Sequence, residues 1–338
     1  DDAVVSTVAA IIGMIPEGLV LLTSVALTIS ILRLAKQQTL VQELFCIETL
    51  ARVDVLCLDK TGTITEGKIK VEFDIKFDDV NIEEIIGNLM YSLDDDNVTS
   101  QALKEHYPPQ NTFKPYFVIP FSSDRKYSGA SFENIGTYYI GAYQFLFPGG
   151  HEILDEKCKD YASQGYRILA LAHSDQVVSD LSLPDDLVPT GIIVLSDIIR
   201  EDAKETLAYF YDQGVDLKII SGDDPITVSS IAKRAGLKKA DYYKDASTIK
   251  NMTEMSEALK KYSVFGRVTP QQKREMIILL KKQGHTVAMT GDGINDVLAF
   301  KEADCSIAMA SGSDAAKNVA NFVLLDNNFD AMPHIVDE

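Results

Sequence analysis

Cys57-Leu58-Asp59-Lys60-Thr61-Gly62-Thr63-Ile64-Thr65 closes an apolar run, Val53 to Leu58, that reads as a buried strand. In an open parallel sheet, ligands bind at the carboxyl ends of strands, so a carboxylate at that point is placed for chemistry. Asp59 can attack a phosphorus atom and form an acyl phosphate. Thr61, Gly62 and Thr63 supply hydroxyls and closely spaced backbone N–H groups for phosphoryl oxygens.

Outward from this stretch, short apolar runs alternate with amphipathic ones, the pattern of a parallel sheet covered by helices. Four further runs are expected as strands of that sheet: Ile192 to Leu195, Asp216 to Ile220, Thr286 to Met289 and Cys305 to Ala308. Helices are expected over Glu201 to Gln213, Ile226 to Gly236, Gln271 to Gln283 and Val297 to Ala303, with Gly214, Gly236 and Gly284 as C-caps. The stretch from about Phe73 to Leu195 reads as an insertion. It has strand-like runs at Tyr116 to Phe121 and Thr137 to Ala142, and amphipathic helices near Ile82 to Leu93 and Ile153 to Gln164.

Three more motifs fall at strand ends or helix starts. Ser221-Gly222-Asp223 can hold a phosphoryl oxygen through a hydroxyl and a backbone N–H, although such a turn is common in structural roles. Lys273, early in a helix after Arg267-Val268-Thr269-Pro270, can neutralise charge on a phosphate and on Asp59. Thr290-Gly291-Asp292-Gly293-Ile294-Asn295-Asp296 sets two carboxylates four residues apart beside a glycine turn, a hard oxygen site suited to Mg²⁺.

The 338 residues suffice for two or three domains, with ordinary apolar content of 46%. A formal charge of −18 argues against a nucleic-acid partner, because such a surface repels polyanions. A local basic pocket for a nucleotide remains compatible with it. The four cysteines are far apart and read as core thiols rather than disulfides or zinc ligands.

From Ala3 to Leu32 there is one charged residue, Glu17, and a membrane-spanning helix needs about 20 apolar residues. Arg33 and Lys36 follow the run, so the positive-inside bias puts the remainder in the cytosol. Gly13 and Pro16-Glu17-Gly18 are expected to break this helix, freeing carbonyls beside a carboxylate as oxygen ligands for a hard cation. The alternative is a buried soluble helix.

Together the motifs resemble those of P-type cation-transporting ATPases, within the haloacid-dehalogenase-like superfamily. Asp59 to Thr63 matches the phosphorylation signature, and Pro16-Glu17-Gly18-Leu19 is similar to the ion-binding break of the calcium-pump and sodium-pump branches. Asp197-Ile198-Ile199-Arg200 resembles the family's hinge, and Phe322 to Phe329 the stretch before the fifth membrane helix. Phe121-Ser122-Ser123-Asp124-Arg125-Lys126 resembles the adenine-binding segment, and Arg167 the arginine near the nucleotide phosphates. Where the family carries Lys-Gly-Ala-Pro-Glu, this chain reads Ile140-Gly141-Ala142-Tyr143-Gln144 and lacks the lysine.

The resemblance implies an α/β protein: a Rossmann-like, haloacid-dehalogenase-type parallel sheet, an inserted α+β nucleotide-binding domain and one N-terminal transmembrane helix. Its expected boundaries are 1–33 for the helix, 34–73 with 197–338 for phosphorylation, and 74–196 for the nucleotide. It implies catalytic roles for Asp59, Lys60, Thr61, Thr63, Ser221, Gly222, Asp223, Lys273, Asn295 and Asp296. Nucleotide contacts would be Phe121, Lys126, Gly141, Arg167, Asp197, Arg200 and Arg267. Mg²⁺ would lie at Asp59, Thr61 and Asp292, and the transported cation, calcium as first choice, at Glu17. The implied activity is ATP-driven cation transport through an aspartyl phosphate at a cell membrane, by a core fragment whose actuator domain and other membrane helices lie outside this sequence. A soluble phosphatase of the superfamily is the alternative, but such enzymes place an acid two positions after the nucleophile, and position 61 is threonine. A noncatalytic nucleotide-binding module is a third reading, opposed by the intact Asp59, Lys273, Asp292 and Asp296.

Overall fold

The computed structural model describes residues 3–7, 17–77, 79–326 and 332. These gather into two compact units: 1–64, 201–222 and 246–338 in the first, and 65–200 with 223–245 in the second.

In the first unit, the sheet runs in the order Thr39–Val41, Phe322–Leu324, Cys305–Met309, Val287–Gly291, Val55–Leu58, Asp216–Ile220, Val264–Gly266. All neighbouring pairs are parallel except the first, where Thr39–Val41 runs antiparallel to Phe322–Leu324. The central strands are apolar on both faces, as a helix-covered parallel sheet requires. Met276, Ile277 and Leu280 of the helix Pro270–Lys282 pack with Val55, Cys57, Phe265 and Met289. Lys218 interrupts its apolar strand yet is 3% exposed. Its Nζ donates to the Leu259 carbonyl at 2.8 Å and pairs with Asp216 at 2.9 Å, which offsets its burial. The four cysteines are free and buried, as expected of core thiols.

The second unit has an antiparallel sheet ordered Thr65–Lys76, Val188–Ile199, Arg167–Ser174, Gly136–Gly141, Tyr127–Phe132, Pro115–Ile119. Helices Ile82–Ser92 and Val98–His106 bury Ile85, Ile86, Leu89 and Leu103 with Ile69, Phe132 and Leu195. Leu154 and Cys158 of the helix Glu152–Ser163 pack in a separate cluster with Tyr139, Ala170 and Val194.

Ile192 to Leu195, expected in the parallel sheet, belongs to this antiparallel one. It forms the middle of Val188–Ile199, paired antiparallel with both Thr65–Lys76 and Arg167–Ser174. A run buried on both faces has no periodicity that reports strand direction. The long ribbon made with Thr65–Lys76 also sets where the units divide, at 64/65 and 200/201 rather than 73/74 and 196/197, and residues 223–245 cluster with the second unit.

The expected helices appear at Ala203–Asp212, Pro225–Arg234, Pro270–Lys282 and, shortened, Val297–Phe300. Gly214, Gly236 and Gly284 follow the first three in the left-handed region, as C-caps do. Among the described residues no helix is long and apolar enough to cross a membrane. The helix Glu17–Lys36 leaves Leu21, Leu22, Val25 and Leu32 more than half exposed. Gly13 and Pro16 of the expected break, the Glu17 side chain and residues 327–329 lie outside the described set.

Asn88 holds the second unit's helical face to the segment entering its edge strand. Its Oδ1 accepts from the backbone N–H groups of Thr112 and Phe113, each at 2.8 Å, and its Nδ2 donates to the Glu84 carbonyl at 2.7 Å. Asn88→Ala would strand both N–H groups. It should lower stability by roughly 2–4 kcal/mol in urea unfolding followed by a probe in this unit; a loss under about 0.5 kcal/mol would contradict this account.

Candidate active site

Asp59 directly follows the strand Val55–Leu58, and its backbone N–H donates to the Thr290 carbonyl on the neighbouring strand at 3.0 Å. This fixes the stem of the side chain at the junction of two strand ends. The chain then leaves the sheet through Lys60–Ile64, where Gly62 takes a φ of +69°. A Cβ there would also collide with the Asp292 carboxylate. Glycine is therefore required twice over, once for conformation and once for the approach of Asp292.

The helix Pro270–Lys282 delivers the opposing charge. Thr269 and Gln272 form a reciprocal capping box and Pro270 occupies the first turn, which fixes where the helix starts and hence where Lys273 stands. Lys273 Nζ lies 2.7 Å from Asp59 Oδ1 and 2.7 Å from Asp296 Oδ1. Asp296 is 1% exposed, and its second oxygen accepts from the Gly293 N–H at 3.1 Å. Asp292 holds its own turn by accepting at its carbonyl from the Ser313 N–H, 2.7 Å away.

The electrostatics follow from burial. Loss of water pushes the Asp59 carboxyl up to about 6; Lys273 opposes this, whereas Asp296 and Asp292 add to it. Burial alone would lower the Lys273 ammonium, but Asp59 and then Asp296 outweigh it and hold it above its ordinary value. Asp59, Asp292 and Asp296 each bring an oxygen within 4.8 Å of the others. Three carboxylates facing one ammonium, all with hard oxygen donors, fit a divalent cation such as Mg²⁺.

Other expected residues of the first unit surround this cluster in sequence. Lys60 and Thr63 are buried, whereas Thr61 and Asn295 are exposed. Ser221, 3% exposed, ends the strand Asp216–Ile220, donating its N–H to Phe265 and accepting from Val268 N–H, both at 3.0 Å. Gly222 is exposed beside it. Arg267 sits at φ +52°, a conformation that side chains rarely adopt and that concentrates at functional sites.

In the second unit, Phe121, Lys126, Gly141 and Arg167 all line one cavity of about 290 Å³. Lys126 is another left-handed residue, with φ +59°. Gly141 is needed because a Cβ would run into the Lys126 carbonyl and Tyr127. Ile140, where a lysine was missed in sequence, is buried in the same wall. Sequence reasoning overlooked the opposite wall, from Met90 to Leu103, because Asp95, Asn97, Thr99 and Ser100 match no motif there. Asp223, expected beside Ser221, belongs to the second unit and lines a separate cavity with Tyr166, Arg167 and Thr227. Asp197 and Arg200, half-buried, lie in and just after the strand Val188–Ile199.

The sequence model of the haloacid dehalogenase-like hydrolases matches residues 53–304, and a second model of the same description matches 273–336. A probable cation-transporting ATPase of Streptococcus pneumoniae serotype 4 is 42% identical across the whole chain. A calcium-transporting ATPase of Mycolicibacterium smegmatis is 40% identical, also across the whole chain. The chain spans 43% and 42% of the lengths of these two relatives. The crystal structure of a zinc-transporting PIB-type ATPase in its E2.Pi state superposes with a TM-score of 0.70 at 22% identity. That match covers 93% of this chain and 45% of the other, and bears on fold alone.

The raised Asp59 value has a definite sign in stability. In the metal-free protein Asp59 binds its proton up to about pH 6, whereas unfolded it releases it near 3.8, so stability falls as pH rises across that window. Asp59→Asn, which keeps a neutral group, should therefore raise the metal-free melting temperature at about pH 7.5, and the gain should vanish below about pH 4. Calorimetry across this range checks it; a mutant less stable at every pH would mean that the pair with Lys273 outweighs burial.

Proposed function

Since the chain belongs to the haloacid dehalogenase-like hydrolase family, we propose that it is the catalytic core of a P-type ATPase that drives cation transport through a phosphorylated Asp59. The observation that carries this reading is Lys273 Nζ at 2.7 Å from both Asp59 and Asp296, with Asp292 in the same cluster. It stands beside 40–42% identity to two cation-transporting ATPases.

ATP binds the second unit, its base stacking on Phe121 and its phosphates meeting Lys126 and Arg167; Gly141 leaves room beside them. Asp197 and Arg200, in the same unit, complete the nucleotide contacts. Asp59 attacks the γ-phosphorus, the bond to the β–γ bridging oxygen breaks, and ADP leaves. Lys273 keeps Asp59 ionised and offsets charge on the phosphoryl group. Thr61, Thr63, Ser221 and Gly222 offer hydroxyls and N–H groups to its oxygens, with Lys60, Asn295 and Asp296 supporting these loops. Asp59, Thr61 and Asp292 would hold Mg²⁺, which would supply positive charge where the phosphoryl group transfers. Thr61 cannot act as the acid that a phosphatase places there, so the acyl phosphate persists, as a transport cycle needs.

The transported cation is calcium, by kinship with the calcium-transporting relative, and Glu17 is its ligand in this chain. The exposed leucines of Glu17–Lys36, followed by Arg33 and Lys36 in its last turn, support insertion in a bilayer with the two units in the cytosol.

Incubation of the full-length protein with γ-labelled ATP and Mg²⁺ should yield an acid-stable, hydroxylamine-sensitive adduct that is absent from Asp59→Asn. Label that persists in that variant would overturn the assignment. Phe121→Ala should weaken ATP binding about tenfold or more, because stacking of a base on an aromatic ring contributes about 1–3 kcal/mol. An unchanged dissociation constant by calorimetry would remove Phe121 from the site.

A further inference from the structure

Lys218 stands in the middle of the buried strand Asp216–Ile220, opposite Cys57 of the neighbouring strand and two residues before Asp59 in that register. None of the groups assigned to phosphoryl transfer touches it. Its ion pair with Asp216 does not explain why a cation is there, because an apolar residue of similar volume in place of a buried charge is commonly as stable or more so. The better attested use of a buried charge is to fix register.

The ammonium faces the end of a helix. Lys218 Nζ donates to the Leu259 carbonyl at 2.8 Å and lies 3.4 Å from the Tyr262 carbonyl. Both oxygens belong to the last turn of Met252–Lys261 or its cap, where carbonyls lack partners within the helix and the dipole favours a cation. Only Ser263 separates Tyr262 from the strand Val264–Gly266, and the Ser263 carbonyl accepts from the Ile219 N–H at 2.8 Å. Two pairs, Val264 with Ile219 and Phe265 with Ile220, define the register of that strand. All three of its residues are buried, so no polar face penalises a slip by one residue. Lys218 supplies the discrimination that the side chains of the strand lack.

We propose that Lys218 is a positioning residue for phosphoryl transfer: by pinning the end of Met252–Lys261 it sets the register of Val264–Gly266 and, through it, the place of Lys273 against Asp59. This rests on the reading that Asp59 is phosphorylated. The linkage is short. Past Gly266, the Val268 N–H donates to the Ser221 carbonyl at 3.0 Å, Thr269 caps the helix Pro270–Lys282, and Lys273 follows one turn later. A slip by one residue moves this segment about 3.3 Å along the strand. The contact of Lys273 Nζ with Asp59, 2.7 Å long, does not survive such a shift.

The experiment uses the full-length protein and reads two quantities well below each variant's melting temperature: the rate of Asp59-dependent labelling by γ-labelled ATP with Mg²⁺, and the ATP dissociation constant by calorimetry. Lys218→Met keeps the length of the side chain but removes the donor; its labelling rate should fall about ten- to hundredfold, the order that a misplacement of about 1 Å costs. ATP affinity, which resides in the second unit, should stay within about twofold. Lys218→Gln, which keeps N–H donors without the charge, should recover part of the rate. A Lys218→Met protein that labels at the wild-type rate overturns the proposal, as does a loss of ATP affinity parallel to the loss of rate. A Lys218→Gln protein no faster than Lys218→Met overturns it too, since the carbonyl contact would then not be the operative one. Should Lys218→Met fail to fold, Lys218→Gln carries the comparison with the wild type. If the wild-type protein itself gives no Asp59-dependent adduct, it is the underlying reading that fails.

Discussion

One ammonium shared between two buried carboxylates governs the first unit. Lys273 is 4% exposed, Asp296 1% and Asp59 8%, so none could be left unpaired without a penalty of several kcal/mol. The sharing is unequal. Asp296 has a second donor in the Gly293 N–H, whereas Asp59 relies on Lys273. The less satisfied carboxylate is also the more exposed of the two. Of the two carboxylates, Asp59 is thus the one less constrained by its neighbours.

Much of the surrounding backbone serves this arrangement. A Cβ on Gly291 would strike the Asp296 carboxylate just as one on Gly62 would strike that of Asp292. Both glycines are packed against carboxylates that a side chain at either position would displace. The capping box of Pro270–Lys282 has the same purpose at the other pole: a helix started one residue later would turn Lys273 by about 100° away from Asp59. Farther along that helix, Arg274 pairs with Glu302 at 2.7 Å and Lys281 with Asp304 at 2.9 Å. These contacts fasten the helix to the segment that follows Asp296, so the two partners of the shared pair are held from both sides.

The parts of this plan that were legible in sequence are those where chemistry forces residue type and position together. Asp59 and Asp292 to Asp296 carry polar groups at the ends of apolar strands, and Lys273 carries one in the first turns of a helix, a juxtaposition that burial alone would not produce. The helices were legible because glycine ended three of them. Strand direction was not: Ile192 to Leu195 is apolar throughout, and only its pairing with Thr65–Lys76 shows it to be antiparallel. Tyr127–Phe132 escaped notice for a related reason. Its residues Tyr-Ser-Gly-Ala-Ser-Phe are all buried but four of the six are small or polar, and Ser131 is satisfied by Thr137 at 2.7 Å and the Val178 carbonyl at 2.9 Å. The cavity lining at Asp95 to Ser100 was hidden because it meets Ile140 around one cavity only in the fold, which sequence order does not reveal.

The acidic balance of the chain gives this economy its reason. With a net charge of −18, the protein as a whole repels a triphosphate. Attraction must then come from individual cations whose fields are not averaged away by solvent or by neighbouring acids. In the first unit that is achieved by depth, since Lys273 is buried and its charge is felt at short range in a poorly polarisable setting. In the second, Lys126 and Arg167 are exposed, and their fields are correspondingly screened. A ligand in that cavity would be held more by apolar contact and hydrogen bonds than by charge, whereas the buried cluster acts through charge. The two units thus set their cations in different physical surroundings, and their sheets differ in kind: an antiparallel one that borders a cavity and a parallel one that collects strand ends.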